Sequence, residues 1–218
     1  MTFFQNSIIA GVLALAAISA HADTNLLNNG SFENPYMPGT NRFDAGSTGI
    51  AGWTVLGNGV DTQGVELVNT PALPASHGEQ WVDLTGVYGY NKGLRSDAIV
   101  TTIGKQYLLS FDLGDYAAPG YQTSTMGVSI NGGAKTLFTN IYAGGTMDWK
   151  RQTFSFIADS ASTRINFIGM ENGALSNNAV IGLDNVVLTA APVPEPSTYA
   201  MMIAGLFGVA ALVRRKRA

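Results

Sequence analysis

Residues 106–113 read Gln-Tyr-Leu-Leu-Ser-Phe-Asp-Leu, with Leu109, Phe111 and Leu113 at every second position and Ser110 and Asp112 between them. A period of two sends successive side chains to opposite faces of a pleated strand, whereas one face of a helix needs a period of 3.6. The same alternation sets Phe154 and Phe156 against Thr153 and Ser155, and further short runs of β-branched and aromatic residues lie at Val65–Val68, Met126–Ile130 and Arg164–Ile168. Asn28-Asn29-Gly30, Asn131-Gly132-Gly133, Gly144-Gly145 and Glu171-Asn172-Gly173 punctuate these runs with turn signals. Between Asp23 and Ala191 no helical periodicity emerges. About ten short strands separated by turns predict an all-β fold, an antiparallel β-sandwich.

The charge pattern narrows what such a sandwich can do. Residues 23–191 carry eight Lys and Arg against fourteen Asp and Glu, a net charge of −6. No basic face is available to neutralise phosphates, so nucleic acid is excluded as a partner. The chain has no cysteine, which rules out disulfides, thiol catalysis and thiolate metal sites and leaves stability to the core.

The two ends have a different character from the middle. An apolar stretch from Ile8 to Ile18 precedes Ala20-His21-Ala22, and the small residues Ala20 and Ala22 fit a signal peptidase that cuts after Ala22. At the other end Tyr199–Val213 is apolar or small throughout, and Arg214-Arg215-Lys216-Arg217 follows at once. That order reads as a short transmembrane helix with a stop-transfer cluster on the cytoplasmic side. The predicted organisation is a signal peptide over 1–22, a β-sandwich domain over 23–191, a Pro-rich linker over 192–198, a transmembrane helix over 199–213 and a basic cytoplasmic tail over 214–218.

Val193-Pro194-Glu195-Pro196, the apolar stretch and the terminal basic cluster together resemble the PEP-CTERM sorting signal of Gram-negative bacteria. The resemblance implies processing by an exosortase after signal peptidase has acted, a single-pass intermediate in the inner membrane, and delivery to the cell surface or extracellular matrix. A permanent anchor is the other reading; it accounts for the hydrophobicity and the charges but leaves the Pro-Glu-Pro unexplained.

A second resemblance covers the domain itself. Asn25-Leu-Leu-Asn-Asn-Gly-Ser-Phe-Glu33, Gly52-Trp-Thr-Val55, Gly78-Glu-Gln-Trp-Val-Asp-Leu84 and the closing Ile181-Gly-Leu-Asp-Asn-Val-Val-Leu188 follow an order similar to the galactose-binding-like jelly rolls. The likeness is to the group found in plant cell-wall proteins and bacterial choice-of-anchor surface proteins, a superfamily that includes many carbohydrate-binding modules. It implies a jelly-roll topology, a buried Trp53, and a structural calcium ion held by Glu33 and Asp184 where the first and last strands meet. The plain alternative has Glu33 capping a turn and Asp184 solvated at a strand end. A polysaccharide partner would need aromatic faces for the C–H side of a sugar ring, and the candidates are Trp81, Tyr88, Tyr90, Tyr116, Tyr121 and Trp149. For each of these a core or rim position is the competing assignment.

Catalysis finds little support in the residues. Asp83, Asp112 and Asp115 could supply a glycosidase's carboxyl pair only if two of them approached within about 5–9 Å, and acids on strands are more commonly solvated. His77 is the one histidine left after signal cleavage, and its Ser76-His77-Gly78 setting matches no nucleophile motif. Two non-enzymatic functions follow as expectations. One is a module that binds polysaccharide; the other is a structural or adhesive surface protein with protein partners and no sugar site.

Overall fold

A computed structural model describes residues 24–57, 64–85, 92–117, 123–141, 144, 146–170, 179–191 and 203–207. Among them the chain forms thirteen strands: β1 (Gly39–Phe43), β2 (Trp53–Leu56), β3 (Val65–Asn69), β4 (Trp81–Asp83), β5 (Gly93–Ser96), β6 (Ile99–Val100), β7 (Gln106–Ala117), β8 (Thr123–Ile130), β9 (Thr136–Ile141), β10 (Asp148–Ile157), β11 (Ser162–Thr163), β12 (Ile165–Met170) and β13 (Ala179–Ala190). Two antiparallel sheets make the sandwich, a six-stranded one in the order β1-β3-β4-β13-β7-β10 and a five-stranded one in the order β2-β5-β12-β8-β9. β6 and β11 pair separately. The expected strands are all present, and β7 and β10 continue several residues beyond the alternating runs.

The alternation settles which face of each strand points inward. Leu109, Phe111 and Leu113 of β7 are fully buried and join Val65, Leu67, Val82, Leu183 and Leu188 from the same sheet. Across the interface they meet Val55, Leu94, Met126, Val128, Ile165 and Phe167 of the other sheet. Trp53 lies in this core with its ring centroid 5.3 Å from that of Phe32 and 6.0 Å from that of Phe167, as the sequence led us to expect. A core of this kind is the main stabilising term for a chain without disulfides.

The two ends of the domain are tied together. Leu26 N–H donates to the Leu188 carbonyl, Ala191 N–H to the Gln106 carbonyl, and Asn25 uses its side chain to accept from Leu27 and Leu188 N–H and to donate to the Val186 carbonyl. Core and tied ends both fall within residues 24–191, so this segment is self-contained.

Five connections cross between the sheets at one end of the sandwich. They follow Leu56, Asp83, Ala117, Ile141 and Met170, and the next strands begin at Val65, Gly93, Thr123, Asp148 and Ala179. β13 starts at this crossover end and finishes at the opposite one, where the chain leaves the domain.

Outside the sandwich, the described residues include one short helix, Ile203–Phe207. Among the described residues no helix is long and apolar enough to cross a membrane; most of 199–213 lies outside them, as do Ala20, Ala22, Val193–Pro196 and Arg214–Arg217.

Candidate functional site

The outer face of the six-stranded sheet carries most of the residues singled out in the sequence. Its central feature is a second, smaller apolar cluster of Val68, Trp81 and Met147, with Leu73, Ala75, Trp149 and Val180 packed against it. The connection between β3 and β4 folds back over the sheet and covers this cluster. Trp81 Nε1 donates to the Leu73 carbonyl at 2.9 Å and Trp149 Nε1 to the Pro74 carbonyl at 3.0 Å. The two indoles meet edge to face, with centroids 5.7 Å apart and planes at 81°, a favourable geometry for their quadrupoles.

Two glycines give the second tryptophan its seat. Gly114 and Gly182 are register partners on β7 and β13, and Trp149 stands opposite Gly114 on β10. A Cβ built on Gly182 would lie 2.4 Å from Met147 Cε and 2.9 Å from the Trp149 ring; one on Gly114 would lie 2.3 Å and 2.7 Å from the same two side chains.

This arrangement corrects one expectation. Trp81 is 1% exposed and has no ring face to offer a sugar; it is the pillar of the second cluster. Trp149 is half-buried, with its ring held in one orientation. Tyr116, at the end of β7, is 39% exposed. It pairs in register with Val180, on the same outer face as Trp149. Tyr88, Tyr90 and Tyr121 lie outside the described residues.

Further along the same face the carboxylates gather. Asp112 and Asp184 are register partners on β7 and β13, and Ser76 Oγ lies 2.8 Å from Asp112 Oδ2 and 2.9 Å from Asp184 Oδ2. A hydroxyl has one hydrogen to donate, so a proton on one of the carboxyls completes the second contact. Asp184 is fully buried and also accepts from the Ser76, His77 and Asn185 amides. Burial pushes its carboxyl up to about 7, against the downward pull of those donors. Arg151 donates to Asp112 Oδ1, Ser110 Oγ and the Asn185 carbonyl. Asn185 has a φ of 50° at the point where the β7–β13 register shifts, between Asp184 and Val187.

Glu33, which precedes β1, holds another part of the connection between β3 and β4. Its Oε1 accepts from Glu79 N–H at 2.8 Å and Gln80 N–H at 2.9 Å, and Gly78 runs so close that a Cβ there would come within 2.3 Å of that oxygen. Gly78 also has a φ of 75°, so the position favours glycine twice over. Glu33 and Asp184 therefore grip successive parts of the Ser76–Gln80 segment through its amides. Those N–H groups complement a carboxylate and would repel a cation, so the donor set does not fit the expected calcium shared by Glu33 and Asp184. Among the described residues no group of three or more His, Cys, Asp or Glu side chains is placed to hold a metal ion.

The three acids weighed for glycoside cleavage have different surroundings. Asp112 is ion-paired with Arg151 at 3.1 Å. Asp115 is fully buried with Oδ2 accepting from Ser124 N–H at 3.0 Å. Asp83 is half-buried, accepts from Thr85 N–H, and has its carboxyl pushed up to about 6 by burial, with the Glu66 charge adding to the rise.

A family model described as "Protein of unknown function (DUF642)" matches residues 25–188. The chain belongs to the DUF642 family. A PEP-CTERM protein-sorting motif matches residues 192–217, which implies export and handling by an exosortase. No curated protein matches the chain. Among solved structures, the DUF642 domain is similar to a cyclase from Fischerella sp. TAU in complex with 4-(1H-indol-3-yl)butan-2-one (18% identity, 78% of this chain and 98% of that one, TM-score 0.55). It is also similar to TmCBM61 in complex with β-1,4-galactotriose (18% identity, 77% and 99% covered, TM-score 0.48) and to the K1 cleaved adhesin domain of Lys-gingipain from Porphyromonas gingivalis W83 (16% identity, 70% and 98% covered, TM-score 0.49). These are likenesses of fold, and the fold is the jelly roll expected from the sequence.

Proposed function

We propose that the protein is a surface or extracellular-matrix component of a Gram-negative bacterium whose DUF642 domain binds polysaccharide at its crossover end and catalyses no reaction. The observation that supports this reading is an exposed Tyr116 on the same outer face as a Trp149 ring held by the Pro74 carbonyl and packed against Trp81. Rigid aromatic faces present apolar area at low entropic cost, and a pyranose ring can stack on them. Asp83 lies on the same face.

The sorting motif supports this reading, since export and handling by an exosortase would bring the domain to surface polysaccharide. Cleavage near Val193–Pro196 would release the domain from the apolar helix, leaving 24–191 to face the matrix. The alternative, an adhesive protein with protein partners, draws on Leu137 and Ile141, both exposed on the edge strand β9.

A glycan array probed with residues 24–191 tests the reading. We expect binding to at least one polysaccharide, lost in Tyr116→Ala while the fold is retained. A domain that binds no glycan, or a Tyr116→Ala variant that binds as the parent does, would refute it.

A further inference from the structure

The two sheets differ sharply in charge. The strands of the six-stranded sheet hold six carboxylates, Glu66, Asp83, Asp112, Asp115, Asp148 and Asp184. The strands of the five-stranded sheet hold none, and their one charged residue is Arg95. In a domain of net charge −6 this sheet presents an outer face with a cation and no acid on its strands.

Register places Arg95 in a polar row across four strands. Thr54 on β2 pairs with Arg95 on β5, Arg95 with Asn166 on β12, and Asn166 with Ser129 on β8. All four stand opposite to the inward-facing Val55, Leu94, Phe167 and Val128. Asn166 Nδ2 donates to Ser129 Oγ at 3.3 Å. Arg95 Nε and Asn166 Oδ1 are both shielded from solvent, and neither has a hydrogen-bond partner among the described residues. A buried donor and a buried acceptor left unmade at neighbouring positions are costly and call for a partner. The next row holds Gly93, Ile168 and Gly127, and a Cβ on Gly127 would lie 3.2 Å from Lys135 Cδ, so a second cationic side chain runs over this face.

We propose that this face is a second ligand site, in which Arg95 binds the carboxylate of a uronate residue in an acidic polysaccharide while Asn166 and Thr54 take its hydroxyls and the buried Ser129 orients Asn166. A guanidinium presents a planar fork that matches a carboxylate. Asn166 Oδ1 supplies the acceptor that a sugar hydroxyl needs. The site lies on the other sheet from Tyr116 and Trp149 and does not depend on the reading given for them.

The test uses residues 24–191 and calorimetric titration with an oligogalacturonate, a neutral dextran and a dextran sulfate, at low and at high salt. The oligogalacturonate should bind, bind more weakly as salt rises, and exceed both other glycans. Arg95→Gln should weaken it roughly tenfold or more, and Asn166→Asp should do the same by placing a carboxylate where it captures the guanidinium. Tyr116→Ala should leave it within about twofold, since contacts this remote act independently. Melting curves check that each variant is folded, and the two variants are read together. The proposal is overturned if the oligogalacturonate does not bind, if dextran or dextran sulfate binds as tightly, if the folded Arg95 and Asn166 variants bind like the parent, or if Tyr116→Ala abolishes the uronate response.

Discussion

Raising the pH should destabilise the domain through Asp184, opposite to the behaviour of an ordinary salt-bridged aspartate. In the unfolded chain this carboxyl ionises near its ordinary value of 3.8, while in the fold burial holds its proton until about 7. Between those values the folded state binds about one proton more than the unfolded state, so stability falls as pH rises, by up to about 1.4 kcal/mol per pH unit. The contribution is fully present below about pH 4 and gone above about pH 7. Over a gap of about three pH units the ceiling is about 4 kcal/mol, a large part of the about 5–15 kcal/mol that holds a domain together. Asp83 acts in the same direction, with its contribution ending near pH 6. Asp184→Asn removes the larger of the two titrations and keeps the shape of the side chain. Urea unfolding of residues 24–191, followed by tryptophan fluorescence across this range, should show a parent whose stability declines and a variant whose decline is shallower. Parallel profiles, or a parent that gains stability from about pH 4 to 7, would refute the protonation assigned to Asp184.

Gly182→Ala should cost about 1–3 kcal/mol by overpacking, because its Cβ would collide with Met147 and Trp149; a lower melting temperature and an altered tryptophan emission would report it. Asn25→Ala removes three hydrogen bonds that tie the first residues to β13 and should cost about 2 kcal/mol, read by urea titration. Calcium should leave the melting temperature of 24–191 unchanged to within about 1 °C, since a stabilising ion must bind the native state and the oxygens of Glu33 and Asp184 already face N–H donors.

The inward face of the sandwich was legible because burial on one side of a strand writes itself into every second residue, as Leu109, Phe111 and Leu113 show. Asn131 and Gly132 likewise turn the chain between β8 and β9 with positive φ values, as an Asn-Gly pair suggests. The outer face was harder to read. Trp81 occupies a position that alternation assigns to solvent, and it is buried only because a connection from elsewhere lies across it. The signals for that cover were the apolar Pro71-Ala-Leu-Pro-Ala75 run and the paired glycines at 114 and 182, which make sense only once Trp149 is set above them. For Glu33 and Asp184 the sequence could not say whether oxygens or amides would surround them, because the Ser76–Gln80 amides that meet them come from a distant part of the chain. The row from Thr54 to Ser129 left no local trace, since it is created by register across four strands.

β13 enters at the crossover end, runs between β4 and β7 along the middle of its sheet, and finishes where the chain heads toward its C-terminus. Twelve residues of strand span about 40 Å, which separates the C-terminal end of β13 from the end that bears Tyr116. If a cell is held by a ligand at that far end, flow pulls along the strand and not across it. The long ladder that joins β13 to β7, with the shorter pairing to β4, is then loaded in shear. A domain loaded through an edge strand such as β9 or β10 would peel one bond at a time; a pull on residue 191 would instead enter this one through the middle of its sheet, like a rope spliced through its core.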